Sequence, residues 1–220
     1  MNTDIIIRNA TRDDQAELEA MTREAFWNLY VPGCDEHYLV HILRDHPDYV
    51  PEMDFVAVRD GRIVGSIIYS RSLLLEDKGD TGGGERVHTL SFGPLCVRPG
   101  HQRQGIGSAL IAHTAALARQ SGCPGIFIYG SPCNYCGSGF RNGRDLGVSA
   151  ADGRYPLGLL GLALDASMFQ QGKRYRLFQS PVFELDPAAA DAYNRRLPEW
   201  KKEYRTSQEL FSMLIRAYLD

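Results

Sequence analysis

The chain has 220 residues, of which 44 % are hydrophobic and 23 % charged, enough for one large domain or one domain with a modest extension. That balance excludes disorder, collagen and coiled coil as overall descriptions. With 24 Lys and Arg against 27 Asp and Glu, the net charge of −3 lacks the basic excess of a domain built to coat nucleic acid, so none is expected as a partner.

Ile5, Ile6 and Ile7 suit a first strand. Thr11-Arg12-Asp13-Asp14 offers a helix N-cap with acidic residues in the first turn, and Leu18, Met21, Ala25 and Leu29 follow at helical spacing. Residues 36–44 read as a second helix with Tyr38, Leu39 and Ile42 as its buried stripe, ended by Pro47 and Pro51. Residues 54–58 and 63–69 are apolar runs flanking Asp60-Gly61, a pair that wants positive φ at both positions and predicts a hairpin. Residues 76–86 carry Gly82-Gly83-Gly84 and read as a flexible loop, followed by a strand over 87–97. Residues 104–120 form a helical pattern with Ile106, Leu110, Thr114 and Leu117 on one stripe, closed by Gly122. Residues 125–129 are a short buried strand, so strand, helix and strand predict a parallel pair with a right-handed crossover. Further on, 157–164 and 175–183 are strand pieces, and 188–195 and 207–219 are helices.

No apolar run approaches the roughly 20 residues of a membrane helix, so no membrane partner is expected. Met1-Asn2-Thr3-Asp4 is not the basic start of a secretory leader. Five cysteines, an odd number, point to free thiols in a reducing cytoplasm.

The most informative segment runs from Leu95 to Ser108. A strand ends at Val97, a helix starts near Gln104, and the turn between them is rich in glycine and polar residues. A helix start presents free N–H groups and partial positive charge, and glycines let a phosphate approach the backbone. The P-loop pattern fails, because no Lys follows Gly107. The dinucleotide fingerprint fails too, because Leu110 stands where the third glycine belongs. Gly105-x-Gly107 alone is equally compatible with a helix start that binds nothing. The preceding Gly93-Pro94 interrupts a strand, because proline cannot donate to a β-ladder. It marks either an edge strand or a bulge that splays the strand from its neighbour.

The fuller pattern Gln102-x-x-Gly105-x-Gly107 after Leu95-x-Val97-x-Pro99 resembles the acetyl-CoA pyrophosphate motif, Gln/Arg-x-x-Gly-x-Gly/Ala, of the GNAT family of acyl-CoA N-acyltransferases. The resemblance implies an α/β fold with a mixed, splayed β-sheet flanked by helices. It implies that backbone amides of Gln102, Arg103, Gln104, Gly105, Ile106, Gly107 and Ser108 grip the pyrophosphate, with the Arg103 side chain adding a contact. It also implies that Leu95, Cys96 and Val97 offer backbone groups to pantetheine, in a wedge between their strand and the Gly125 strand.

Cys133-Asn134-Tyr135-Cys136 follows that second strand. A zinc site wants four ligands, and Cys34, Cys96 and Cys123 supply no matching spacing. A thioredoxin-like reading meets only part of its context. Tyr135-x-x-x-Gly139-Phe140 resembles the family's Tyr-x-x-x-Gly-Phe, in which the tyrosine protonates the departing CoA thiolate; packing on the core is the alternative for this ring. The nearest branch is a bacterial one carrying Gly-Asp-Pro-x-Tyr-Tyr before Gly-Phe. Ser131 replaces its Asp and Asn134 its first Tyr, and Asn134 joins Tyr135 on the cofactor side.

An amine attacks a thioester only when neutral, so a base is needed. Glu85 is the candidate, with His88, Asp54 and Glu36 as others; each of the four reads first as a solvated surface residue, and His88 equally as a half-buried packing residue. The resemblance thus implies an acetyl-CoA-dependent N-acetyltransferase acting on an amine acceptor without a metal. The transferase domain is expected over residues 1–183, with a helical extension over 184–220 packed on it. A homodimer is an option, dimers being common in the family. A non-catalytic acyl-CoA-binding domain and a Cys133/Cys136 redox or metal protein are the competing readings.

Overall fold

The computed structural model describes residues 5–79, 84–170 and 172–220. Gly82 and Gly83 of the predicted loop and Met1 to Asp4 lie outside the described residues. The chain forms two compact units, residues 1–69, 93–111 and 181–210 in one, and 70–92, 112–180 and 211–220 in the other.

The first unit opens with β1 (Ile6–Asn9) and, after a 3₁₀ turn, α1 (Gln15–Phe26). Thr11 starts that turn as expected, with its amide and hydroxyl both donating to Asp14, whose carboxylate is also gripped by Arg8. Then come α2 (Glu36–Leu43), β2 (Phe55–Arg59) and β3 (Arg62–Glu76). β1 pairs antiparallel with β2 and β2 with β3. The hairpin turn forms as the sequence predicts, with φ 51° at Asp60 and 74° at Gly61. The inner face of α2 differs from expectation: His37, Leu39, Val40 and Leu43 are buried, while Tyr38 and Ile42 are only half-buried. A polar partner for the buried His37, the half-buried Asn194 at 2.8 Å, makes that rotation tolerable. Leu18, Met21, Val40, Val56, Ile63 and Cys96 form the core of this unit.

β4 (Arg86–Val97), α3 (Ile106–Gln120) and, much later, α6 (Thr206–Arg216) supply residues to both units, as β3 does. The α3 stripe is buried at Ile106, Leu110, Thr114 and Ala118, and Gly122 ends the helix with φ 77°. In the second unit β5 (Gly125–Tyr129) leads to α4 (Pro132–Tyr135), β6 (Arg141–Asn142), β7 (Val148–Ala150), β8 (Tyr155–Pro156) and β9 (Leu159–Ala163). β10 (Tyr175–Phe178) follows, then α5 (Pro187–Asn194) in the first unit and β11 (Tyr218–Leu219) in the second. β4 and β5 are parallel, as the crossover requires, but share a single registered pair, Leu90 with Ile126. β5 runs antiparallel to β9 over its whole length. β10 lies antiparallel to the end of β3 and parallel to β7. The core of this unit gathers Leu74, Phe127, Leu146, Val148, Leu159, Tyr175 and Leu177. The class is therefore mixed α/β, with a mixed, largely antiparallel sheet flanked by helices.

Candidate active site

Arg98 pins the exit from β4. Its amide and Nε donate to the carbonyls of Val64 and Ile63, both at 2.9 Å, and its guanidinium reaches Glu17 at 2.7 Å. The chain then folds back through three left-handed residues, Gly100, Arg103 and Gly105. The glutamine side chains brace this turn from within. Gln102 Nε2 donates to the Val97 carbonyl at 3.1 Å, and Gln104 Nε2 to the Gly100 carbonyl at 3.1 Å, while Gln104 Oε1 accepts from Arg59. Intrahelical bonding begins with the Ala109 amide on the Gly105 carbonyl, so the amides of Ile106, Gly107 and Ser108 have no acceptor one turn back.

Two glycines in this turn have different causes. Gly105 has φ 84°, which only glycine adopts readily. Gly107 lies in α3, where glycine costs roughly 1 kcal/mol relative to alanine. Nothing in the chain requires it: a Cβ there would meet Leu95 Cδ2 at 3.7 Å and Val97 Cγ2 at 3.8 Å, ordinary contacts. The amides of Ile106, Gly107 and Ser108, without acceptors of their own beside a small side chain, fit a phosphate at this turn. Cys96 alternates with Leu95 and Val97 and turns its side chain into the core, with Sγ toward the Met21 carbonyl and its thiol pushed up to about 12 by burial. Only its backbone is left for a ligand.

In the second unit, β5 ends at Gly130 and the turn of α4 carries Tyr135. The ring of Tyr135 lies against Phe92 and Phe140, with centroids at 5.7 and 5.8 Å. Phe92 and Phe140 meet edge-on at 6.0 Å, so three aromatic rings close on one another. Gly139 has φ 90°, which turns the chain to bring Phe140 inward. Asn134, Cys133 and Cys136 are exposed on the same turn. Phe92, Gly130 and Phe140 as the support of Tyr135 were not identified in the sequence; the glycine placed directly after a strand was the available signal.

The four candidate bases occupy different environments. Glu85 is exposed at the start of β4, with its backbone bonded to Glu76. His88 is exposed on β4. Asp54 is not a solvated surface group. It is buried, 2.8 Å from both Arg44 Nε and the Tyr49 hydroxyl, a structural ion pair. Glu36, at the first turn of α2, is pushed up to about 7 by burial, with the neighbouring Asp35 charge adding to the rise. Among the described residues no three His, Cys, Asp or Glu side chains gather to hold a metal, and no helix is long and apolar enough to cross a membrane.

The first unit thus carries a strand-to-helix turn whose leading amides lack acceptors one turn back, and the second a parallel β4/β5 pair with one registered contact and a tyrosine on the turn after β5. The chain belongs to the acetyltransferase (GNAT) family, whose model matches residues 20–135. No curated protein matches it. Its fold is similar to that of a GNAT family N-acetyltransferase (YhbS) from Escherichia coli in complex with CoA, with TM-score 0.66 and 19 % identity over 82 % of this chain and 92 % of that one. A GNAT family acetyltransferase from Brucella melitensis in complex with acetyl-CoA gives TM-score 0.60 and 23 % identity over 82 % and 99 %. A GNAT family acetyltransferase from Staphylococcus aureus Mu50 gives 0.53 and 17 % over 74 % and 100 %.

Proposed function

We propose that the protein transfers the acetyl group of acetyl-CoA directly to an amine. The observation that carries this reading is Gly107, a helical glycine that the chain's own packing does not demand, beside the amides of Ile106 and Ser108. In this reading the amides from Gln102 to Ser108 hold the pyrophosphate, Arg103 adds charge from the exposed turn, and the backbones of Leu95, Cys96 and Val97 serve the pantetheine arm. Asn134 lies on the donor side beside Tyr135. Bound acetyl-CoA supplies an activated thioester.

The chain's groups handle the protons. A base takes one from the acceptor ammonium, the nitrogen forms its bond to the acyl carbon, and the bond from carbon to sulfur breaks. Tyr135 gives its phenolic proton to the departing thiolate, whose ordinary pKa near 8.5 makes a nearby donor useful. Glu85 is one base for this role. Glu36 is a second, favoured by a carboxyl tuned to about 7, where a base works best at neutral pH. The transferase domain is assigned to residues 1–183 and the extension to 184–220. A bacterial, cytoplasmic setting suits the free thiols, and assembly as a homodimer completes the reading.

The test is calorimetric titration of acetyl-CoA into the protein, with NAD as the control. Saturable binding of acetyl-CoA but not of NAD is expected and opens an amine screen. Absence of acetyl-CoA binding would withdraw the assignment.

A further inference from the structure

Cys34 and Cys96 are buried, and Cys123 is half-buried with its thiol donating to the Gly125 carbonyl; burial pushes all three thiols up. Cys133 and Cys136 are both exposed and stand three residues apart on one helical turn. That turn is regular: the Cys136 amide donates to the Pro132 carbonyl and the Asn134 amide to the Ser131 carbonyl. Helical geometry puts such Cα atoms about 5 Å apart, inside the roughly 4.4–6.8 Å range of disulfides. Their Cβ atoms, at about 5–6 Å, exceed the usual disulfide spacing of about 3.5–4.5 Å. Closing the bridge therefore tightens the turn, and a strained, exposed disulfide is a readily reduced one.

We propose that Cys133 and Cys136 form a reversible disulfide site, oxidised by exchange with a small-molecule disulfide of the glutathione class. One thiolate attacks the disulfide and releases one glutathione. The second thiolate attacks the resulting mixed disulfide and releases the other. Two protein thiols thus lose two protons and two electrons, and one oxidised glutathione becomes two reduced ones. The bridge spans Tyr135. Cys136 also accepts from the Gly139 amide, at the bend that delivers Phe140 to the Tyr135 ring. Oxidation therefore pins the segment that holds Tyr135. The consequence for turnover rests on the catalytic reading above; the bridge itself does not.

The experiment equilibrates the full chain with mixtures of reduced and oxidised glutathione and reads intact mass, peptide linkage and amide hydrogen exchange. Loss of two hydrogens, a 133–136 linkage, slower exchange over residues 130–140 and full reversal by dithiothreitol are expected. Cys133→Ser and Cys136→Ser should each stop at a mixed disulfide with glutathione. A wild-type chain that carries glutathione adducts without closing the bridge, or a bridge that leaves exchange over 130–140 unchanged, overturns the proposal. Acetyl transfer is measured on the same samples and should fall about tenfold or more on oxidation, with acetyl-CoA affinity unchanged. A reversible bridge in a protein that binds no acetyl-CoA would count against the acetyltransferase reading and in favour of the disulfide site.

Discussion

Gly130 lies against the Cε2 edge of the Tyr135 ring, so close that a Cβ at Gly130 would stand 2.5 Å from Tyr135 Cε2. The glycine that follows β5 thus leaves room for the proposed acid, whose ring also packs on Phe92 and Phe140. Gly130→Ala must push the ring aside, and turnover should fall with little change in acetyl-CoA affinity. The same substitution should cost about 1–3 kcal/mol of stability, the usual price of overpacking. Steady-state kinetics beside thermal unfolding checks both; unchanged kinetics would show that the ring position does not matter.

Tyr135→Phe keeps the ring and its aromatic contacts but removes the proton. If Tyr135 is the acid, kcat should drop by about 10²–10⁴-fold with acetyl-CoA affinity retained and stability nearly unchanged. A variant with wild-type turnover would assign protonation of the thiolate to water or another residue.

Gly107 separates a small side chain from a charged one. Its Cβ would make only ordinary contacts with Leu95 and Val97, so Gly107→Ala fits α3 without strain, and the motif this turn resembles admits alanine there; acetyl-CoA affinity should be retained. Gly107→Glu places a carboxylate at the proposed pyrophosphate site and should abolish binding. A Gly107→Glu protein with wild-type affinity for acetyl-CoA would remove the pyrophosphate from this turn.

The parts legible in the sequence share one property: their determinants are local. Asp60-Gly61 specifies its own turn, Gly122 its own helix end, and residues 102–108 much of their own loop, where Gln102 and Gln104 donate to carbonyls five and four residues back. What stayed hidden depends on partners far along the chain. Asp54 reads as a surface carboxylate until Arg44 and Tyr49 are folded against it. β10 falls within the strand piece read over 175–183, but its pairings with β3 and with β7 are encoded in no local pattern. The segment after α5 crosses the first unit because Trp27 Nε1 and Asn28 Nδ2 both donate to the Lys201 carbonyl, and Arg23 donates to that of Pro198. The roles assigned to residues 95–97, 102–108 and 134–135 needed the family pattern, since a glycine turn or a single tyrosine in a polar turn says nothing of its role.

Glu36 gives the pH dependence of catalysis a sign. Burial holds its carboxyl protonated up to about 7, so a base at this position becomes competent as pH rises through 7. kcat/KM should climb with a midpoint there, and Glu36→Gln should remove that limb. Glu85→Gln is the comparison: if it abolishes turnover while Glu36→Gln leaves the profile intact, Glu85 is the base. Stability carries the opposite sign. The folded pKa exceeds the ordinary 4.5, so the folded state loses stability as pH rises from 4.5 through 7, and Glu36→Gln should be the more stable protein at pH 8.

His37 sets the acid limit of the first unit. It is fully buried between Cys34 Sγ, 3.4 Å from Nδ1, and Asn194 Oδ1, 2.8 Å from Nε2. Asn194 gives its amide N–H to Asp35, so its oxygen faces the ring and Nε2 carries the proton. Nδ1 faces the Cys34 thiol, which burial keeps neutral and whose S–H also lies toward the Arg23 carbonyl. A second proton on this imidazole would meet a thiol instead of an acceptor, in a site that burial makes hostile to charge and that the Arg23 guanidinium makes more so. The His37 pKa is therefore depressed below the ordinary 6.5. The stability it contributes is complete above 6.5 and is lost as pH falls through the depressed folded value, because the unfolded chain binds the proton first. Unfolding measured in urea between pH 8 and 5 should show that loss in the wild type. His37→Gln, weaker overall, should show a flatter profile; an equal slope in both proteins would place the acid sensitivity elsewhere.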